Sequence, residues 1–162
     1  MKIKAAKNRS KAYSHRSTDG FMSSAGNNAG TGRGSSSVPL GPQIVIDGGF
    51  DKTTTWAAGL GWSYGYGIAT GVPADLTSIE QDTTLLSDGV TYQVRIEMGT
   101  ITAGTVLVEF TGGTPVQGPA ISTEGVSTFE LVAALGNDVI AITKDALFDG
   151  DVLDISVREV KT

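Results

Sequence analysis

The chain has 162 residues, 22 of them glycine and none cysteine, with 12 basic and 17 acidic side chains and a formal charge of −5. Without cysteine there is no disulfide framework, thiolate metal site or cysteine nucleophile, so packing or an oxygen-ligated ion must hold the fold. No apolar run is long enough to cross a bilayer, and none behind the N-terminal lysines resembles a secretory leader, which predicts a soluble protein with no membrane partner.

The charge is divided along the chain. Residues 1–43 carry seven basic side chains against Asp19 alone, a formal +6, whereas from Ile44 onward five basic residues face sixteen acidic ones, a formal −11. The same first segment holds six glycines, eight serines and three asparagines. Its few large apolar residues cannot offset the entropy of ordering, which predicts an extended, largely irregular arm at 1–43 joined to a folded domain at 44–162. Lys4, Lys7 and Lys11 fall at helical spacing, so the first sixteen residues could form a short helix on a partner. Ser17 to Ser37 reads as spacer, and Pro39 and Pro42 stiffen the boundary.

Beyond the boundary the apolar period is two. Gln43–Asp47 reads as a short strand; Trp62–Tyr64 and Ile68–Thr70 read as strands around Gly65-Tyr66-Gly67. Thr77–Leu86 follows. In Thr91–Met98, Tyr92, Val94, Ile96 and Met98 share one face and Gln93, Arg95 and Glu97 the other. Thr105–Thr111, Pro115–Thr123, Val126–Val132, Val139–Thr143 and Val152–Val160 complete the set. About eight or nine short strands separated by Gly, Asp and Pro turns predict an all-β antiparallel sandwich of jelly-roll type with no long helix.

Catalysis is hard to assemble from these residues. The single histidine, His15, lies in the arm, where no packed shell would orient it, and the carboxylates are spread mostly over turns and solvent faces. The expectation is a protein that is not an enzyme. Gly65-Tyr66-Gly67 lacks the strand, turn and helix context of a nucleotide loop.

Ile44-Val45-Ile46-Asp47-Gly48-Gly49-Phe50-Asp51, then Trp56 and Gly61-Trp62, resembles the opening of carbohydrate-binding-module-like jelly rolls, where an Asn-Gly-x-Phe-Glu/Asp stretch leads to a tryptophan. The likeness continues through Gly89-Val90-Thr91-Tyr92-Gln93-Val94 and the ending Phe148-Asp149-Gly150-Asp151-Val152-Leu153-Asp154-Ile155. It covers residues 44–160 and departs from the pattern at Asp47, where asparagine is commoner. Similar domains occur in virion proteins of tailed bacteriophages and in glycan-binding modules of enzymes. The resemblance implies that the first and last strands lie together, which would make Asp47, Asp51 and Asp154, with Asp149 and Asp151 near, a structural calcium site. The bland alternative is that these carboxylates cap their own turns. The resemblance also points Trp62 and Tyr64 inward, leaving Tyr66 as the exposed aromatic able to contact a glycan.

Two functions fit. One is a structural virion protein assembled in the host cytoplasm, a capsid decoration or cement protein, itself oligomeric, with a trimer about a symmetry axis suiting the role. Its arm would clamp capsid or neighbouring virion subunits through Lys2, Lys4, Lys7, Arg9, Lys11, Arg16 and Arg33, with Ile3, Tyr13, Phe21 and Met22 as apolar anchors. The other is a tail or head fibre component whose jelly roll binds host-surface glycans. Nucleic acid is the poorer partner for the arm, because the −11 domain repels polyanions. Calcium apart, no cofactor is expected.

Overall fold

The computed structural model describes residues 37–162. Eleven strands run in chain order: β1 Leu40–Gln43, β2 Ala57–Ala58, β3 Trp62–Gly65, β4 Ile68–Gly71, β5 Thr77–Asp82, β6 Thr91–Ala103, β7 Val106–Thr111, β8 Val116–Gln117, β9 Gly125–Val132, β10 Val139–Lys144 and β11 Asp149–Val160. Among the described residues there is no helix. The first sheet has the order β3-β4-β11-β6-β9, with β1 also on β11; the second has the order β2-β5-β10-β7-β8. Every pairing is antiparallel.

Alternation builds the core. Tyr92, Val94, Ile96 and Met98 of β6 and Ile155 and Val157 of β11 are buried, as are Val106, Val108 and Phe110 of β7 and Ile140 and Ile142 of β10. The Tyr92 and Phe110 rings meet edge to face across the two sheets at 5.8 Å. Aromatic pairs of this geometry contribute about 1 kcal/mol beyond the area they bury.

The first predicted strand is displaced. Pairing with β11 occurs at Leu40 and Gln43, with a register shift between them that accommodates Pro42, so the proline-marked boundary falls inside a strand. Ile44 and Val45 are buried, yet Ile46 leaves the ladder: its N–H donates to Gln81 Oε1 and its carbonyl accepts from Gln81 Nε2, both at 2.7 Å. A buried side-chain amide thus replaces the missing strand partner.

Two crossovers between the sheets, Gly104–Thr105 after β6 and Asp145–Phe148 after β10, are bound to each other. The Asp145 carboxylate accepts hydrogen bonds from the Thr105 N–H and hydroxyl and from the Leu147 N–H, each at 2.9 Å. Gly104 has φ +72°, and a Cβ there would lie 2.3 Å from the Phe148 nitrogen, so no larger residue fits. Partial burial would raise the Asp145 carboxyl, but hydrogen bonds from the Thr105 hydroxyl and from nearby backbone N–H groups outweigh it and hold the group below the ordinary aspartate value. A depressed folded-state value gives stability that is present above the unfolded value, about 3.9, and is lost as pH falls through the folded one. Asp145→Asn is therefore expected to lower the unfolding temperature at neutral pH, with the gap to wild type narrowing below pH ~4. Thermal unfolding of both proteins across an acid pH series checks this.

Candidate functional site

Backbone strain gathers at one corner of the sandwich. Among the described residues, the non-glycine positions with positive φ are Asp47 (60°), Phe50 (56°) and Tyr66 (57°), all in the 47–56 loop or in the β3–β4 turn that touches it. In the loop, Asp47 Oδ1 and Oδ2 accept from the N–H groups of Asp51 and Lys52, each at 2.9 Å. The Asp47 carbonyl accepts from the Phe50 N–H and from the Trp56 indole, both at 3.1 Å. Phe50 is fully buried, with its ring 5.3 Å from that of Trp56.

The turn is fixed on this base. Gly65 pairs with Ile68, so Tyr66 and Gly67 alone make the connection, and both have positive φ, 57° and 88°. That is a type I′ hairpin, whose first position favours Asn, Asp or Gly and penalises a bulky side chain. The Gly67 N–H donates to the Phe50 carbonyl at 3.3 Å, and the Tyr64 hydroxyl both accepts from the Trp56 N–H at 3.1 Å and donates to its carbonyl at 2.5 Å.

Tyr66 is 99% exposed at the tip. Its ring thus has no packing contact to offset the left-handed backbone, while everything beneath it is braced. A hollow of about 180 Å³ beside it is lined by Ser63, Tyr64, Gly65, Ile68 and Thr70. The Thr70 hydroxyl donates to Asp151 Oδ1 at 2.8 Å, so its oxygen can still accept a hydrogen bond but its proton is committed. An aromatic face on a braced turn, beside the hydroxyl-bearing Ser63 and Thr70, can stack on the C–H face of a sugar ring and hydrogen-bond its hydroxyls. A larger open hollow of about 440 Å³ lies between Ile44, Ile46, Leu85, Asp82 and Asp138, but it has no aromatic side chain.

The other predicted positions sort as follows. Trp62 is buried with its ring 5.9 Å from that of Phe148, and Trp56 is buried as well, so neither indole is available for stacking. Asp47, Asp51 and Asp154 are not brought together. Asp47 holds its own loop, whereas Asp154 pairs with Arg95, which also pairs with Glu97, both at 2.8 Å. Among the described residues no three acidic or histidine side chains converge as a metal set. Excess EDTA is accordingly expected to leave the unfolding temperature unchanged; a fall of several degrees would return calcium to the loop. The arm residues Lys2, Ile3, Lys4, Lys7, Arg9, Lys11, Tyr13, Arg16, Phe21, Met22 and Arg33 lie outside the described residues.

Sequence reasoning missed the strain at Asp47 and Phe50, for which composition carries no signal. It also missed Glu109, a 9% exposed carboxylate on β7 that accepts from Thr143 Oγ1 and from Gln117 Nε2.

No protein-family model matches the chain, and no curated protein resembles it in sequence. Among solved structures, the CBM22-1 xylan-binding domain of Xyn10C from Paenibacillus barcinonensis is similar, with a TM-score of 0.52 at 14% identity over 76% of this chain and 99% of that one. A family 29 carbohydrate-binding module gives 0.49 at 16% identity, over 72% of this chain and 80% of that one. The enzymatically active domain of bacteriophage CBA120 tailspike protein 4 gives 0.47 at 14% identity, over 72% of this chain and 21% of that one. By fold, the described residues form a jelly-roll sandwich of the kind found in carbohydrate-binding modules.

Proposed function

We propose that this protein is a non-catalytic glycan-binding jelly roll that holds its ligand at the Tyr66 corner. The observation that carries the reading is a fully exposed aromatic ring kept in a left-handed conformation on a braced turn, a cost that packing does not explain. The fold shared with a xylan-binding domain supports it as an analogy. Ligand would bind by stacking on Tyr66, with Ser63 and Thr70 oriented to sugar hydroxyls. A glycan array probed with the full chain tests this. The expected result is a family of related oligosaccharide hits; an array without hits overturns it.

The charge division favours a second reading. A +6 segment at residues 1–43 attached to a −11 domain suits a capsid decoration or cement protein whose arm clamps virion subunits. Cosedimentation with undecorated capsids across a salt series tests that reading. Binding should weaken as salt rises, and its absence at low salt would remove the clamp.

A further inference from the structure

Strand β9 ends the first sheet, and its free edge lacks the devices that keep sheet edges apart. It pairs with β6 in an unbroken register, from Thr91↔Val132 to Met98↔Gly125, and with no other strand among the described residues. Exposed edges are usually blunted by lysine, proline, a bulge or short length. β9 is eight residues long, Gly-Val-Ser-Thr-Phe-Glu-Leu-Val, with Glu130 as its one charge. Val126 and Val132 are 54% and 52% exposed. On a domain carrying sixteen acidic residues, this is where a like-charged second copy can approach.

We propose that β9 pairs antiparallel with β9 of a second copy, about a two-fold axis at Phe129, to make one continuous sheet. A two-fold axis between antiparallel strands runs perpendicular to the sheet, so residues facing each other must lie on the same face. Val126, Thr128, Glu130 and Val132 are exposed and alternate with the more buried Ser127, Phe129 and Leu131. Centring on Phe129 sets Val126 against Val132 of the partner subunit, and Thr128 against Glu130 of the partner subunit. Two β-branched pairs and two hydroxyl–carboxylate pairs result, each a favourable cross-strand combination. Centring instead on Thr128 would oppose Glu130 to valine and Val132 to the acidic Glu124, so the Phe129 register is preferred.

The two glutamates meet only diagonally, about 7–8 Å apart. Both copies are net negative, so screening should tighten the dimer as salt rises, the reverse of an arm held by opposite charge.

Sedimentation equilibrium of the full chain, at low and high salt up to the highest soluble concentration, tests the pairing. A dimer that strengthens with salt is expected. Val126→Lys should weaken it about tenfold by replacing two apolar cross-strand pairs. Thr128→Glu should weaken it by opposing like charges, whereas Thr128→Lys should maintain or tighten it by facing Glu130 of the partner subunit. Thr128 lies opposite Arg95, whose guanidinium is already held by Glu97 and Asp154, so both variants should fold, as unchanged unfolding temperatures at a concentration too low for dimer would verify. A chain that stays monomeric throughout would overturn the proposal and leave the edge to a different protein, as would equal effects of Lys and Glu at position 128.

Discussion

Phe148→Ala is expected to remove about 3–5 kcal/mol of folding stability, a large share of what a domain of this size possesses. The ring is fully buried at the crossover from β10 to β11 and lies 5.9 Å from that of Trp62. Its other side meets Gly71, where a Cβ would come within 2.7 Å of two ring atoms. Glycine is therefore at Gly71 because the ring occupies the space a side chain would need. Strand backbone forms that wall, and Gly71 is tied to both Trp62 and Gly150, so it cannot move inward to refill the space. The deletion leaves a cavity, and the loss should sit near the top of the range. Leu147→Ala, one residue away but 70% exposed, should stay within about 0.5 kcal/mol. Chemical denaturation of the pair is the measurement; a loss in Phe148→Ala as small as that in Leu147→Ala would mean that the ring is not part of the core.

How legible this was in the sequence depended on what each residue was answering to. Where burial alone decided, the period-two pattern located the strands: β3, β4, β7, β9 and β10 lie within one residue of their predicted ends, whereas β6 starts at Thr91 as predicted and runs five residues past Met98. The reading failed where a side chain stood in for a strand. Ile44-Val45-Ile46 is apolar enough to be a strand, but the Gln81 amide takes up the Ile46 backbone groups from across the sandwich, and single-sequence patterning cannot register a contact 35 residues away. Ala57–Ala58 is too short to show a period.

Lys144 shows the opposite error. Strand alternation through Ile140 and Ile142 sets position 144 facing inward, yet lysine suggests the strand has ended. In the fold its stem packs beside Gly61 and Gly71, and its ammonium donates to the Asp75 carbonyl at 3.2 Å. Parity was the better guide than polarity. At the candidate site, the glycines flanking Tyr66 made an exposed turn legible. The left-handed geometry of Asp47 and Phe50 was not, because it follows from the indole and backbone hydrogen bonds of the folded loop.

The two proposed surfaces lie at opposite edges of one sheet, β3 carrying the Tyr66 turn and β9 the free edge. Joining two copies through β9 would leave the turns at the far ends of a ten-strand path, about 40 Å apart at the usual strand spacing. A single shallow aromatic contact binds weakly, and two held at fixed separation on one glycan surface gain through effective concentration. Variants at Val126 should therefore reduce attachment to a multivalent glycan while leaving affinity for a short soluble one unchanged, whereas variants at Tyr66 reduce both.

Tyr66 should separate binding from stability. Burying one face of its ring against a sugar is worth about 2 kcal/mol, so Tyr66→Ala is expected to weaken glycan binding about thirtyfold. The same change should hardly affect folding, because a 99% exposed ring contributes no core contact. Tyr66→Gly goes further: with φ at 57°, glycine relieves a left-handed backbone that costs a side-chain-bearing residue about 1 kcal/mol, so this variant should unfold at a higher temperature while binding as poorly as alanine. Tyr66→Phe keeps the ring and should retain most of the affinity. Calorimetric titration with an array hit, alongside thermal unfolding of the three variants, gives both readouts. Gained stability with lost binding is what a turn strained for recognition requires. Unchanged binding in Tyr66→Ala would remove the basis of the glycan reading, since among the described residues no other aromatic ring at this corner is exposed enough to stack.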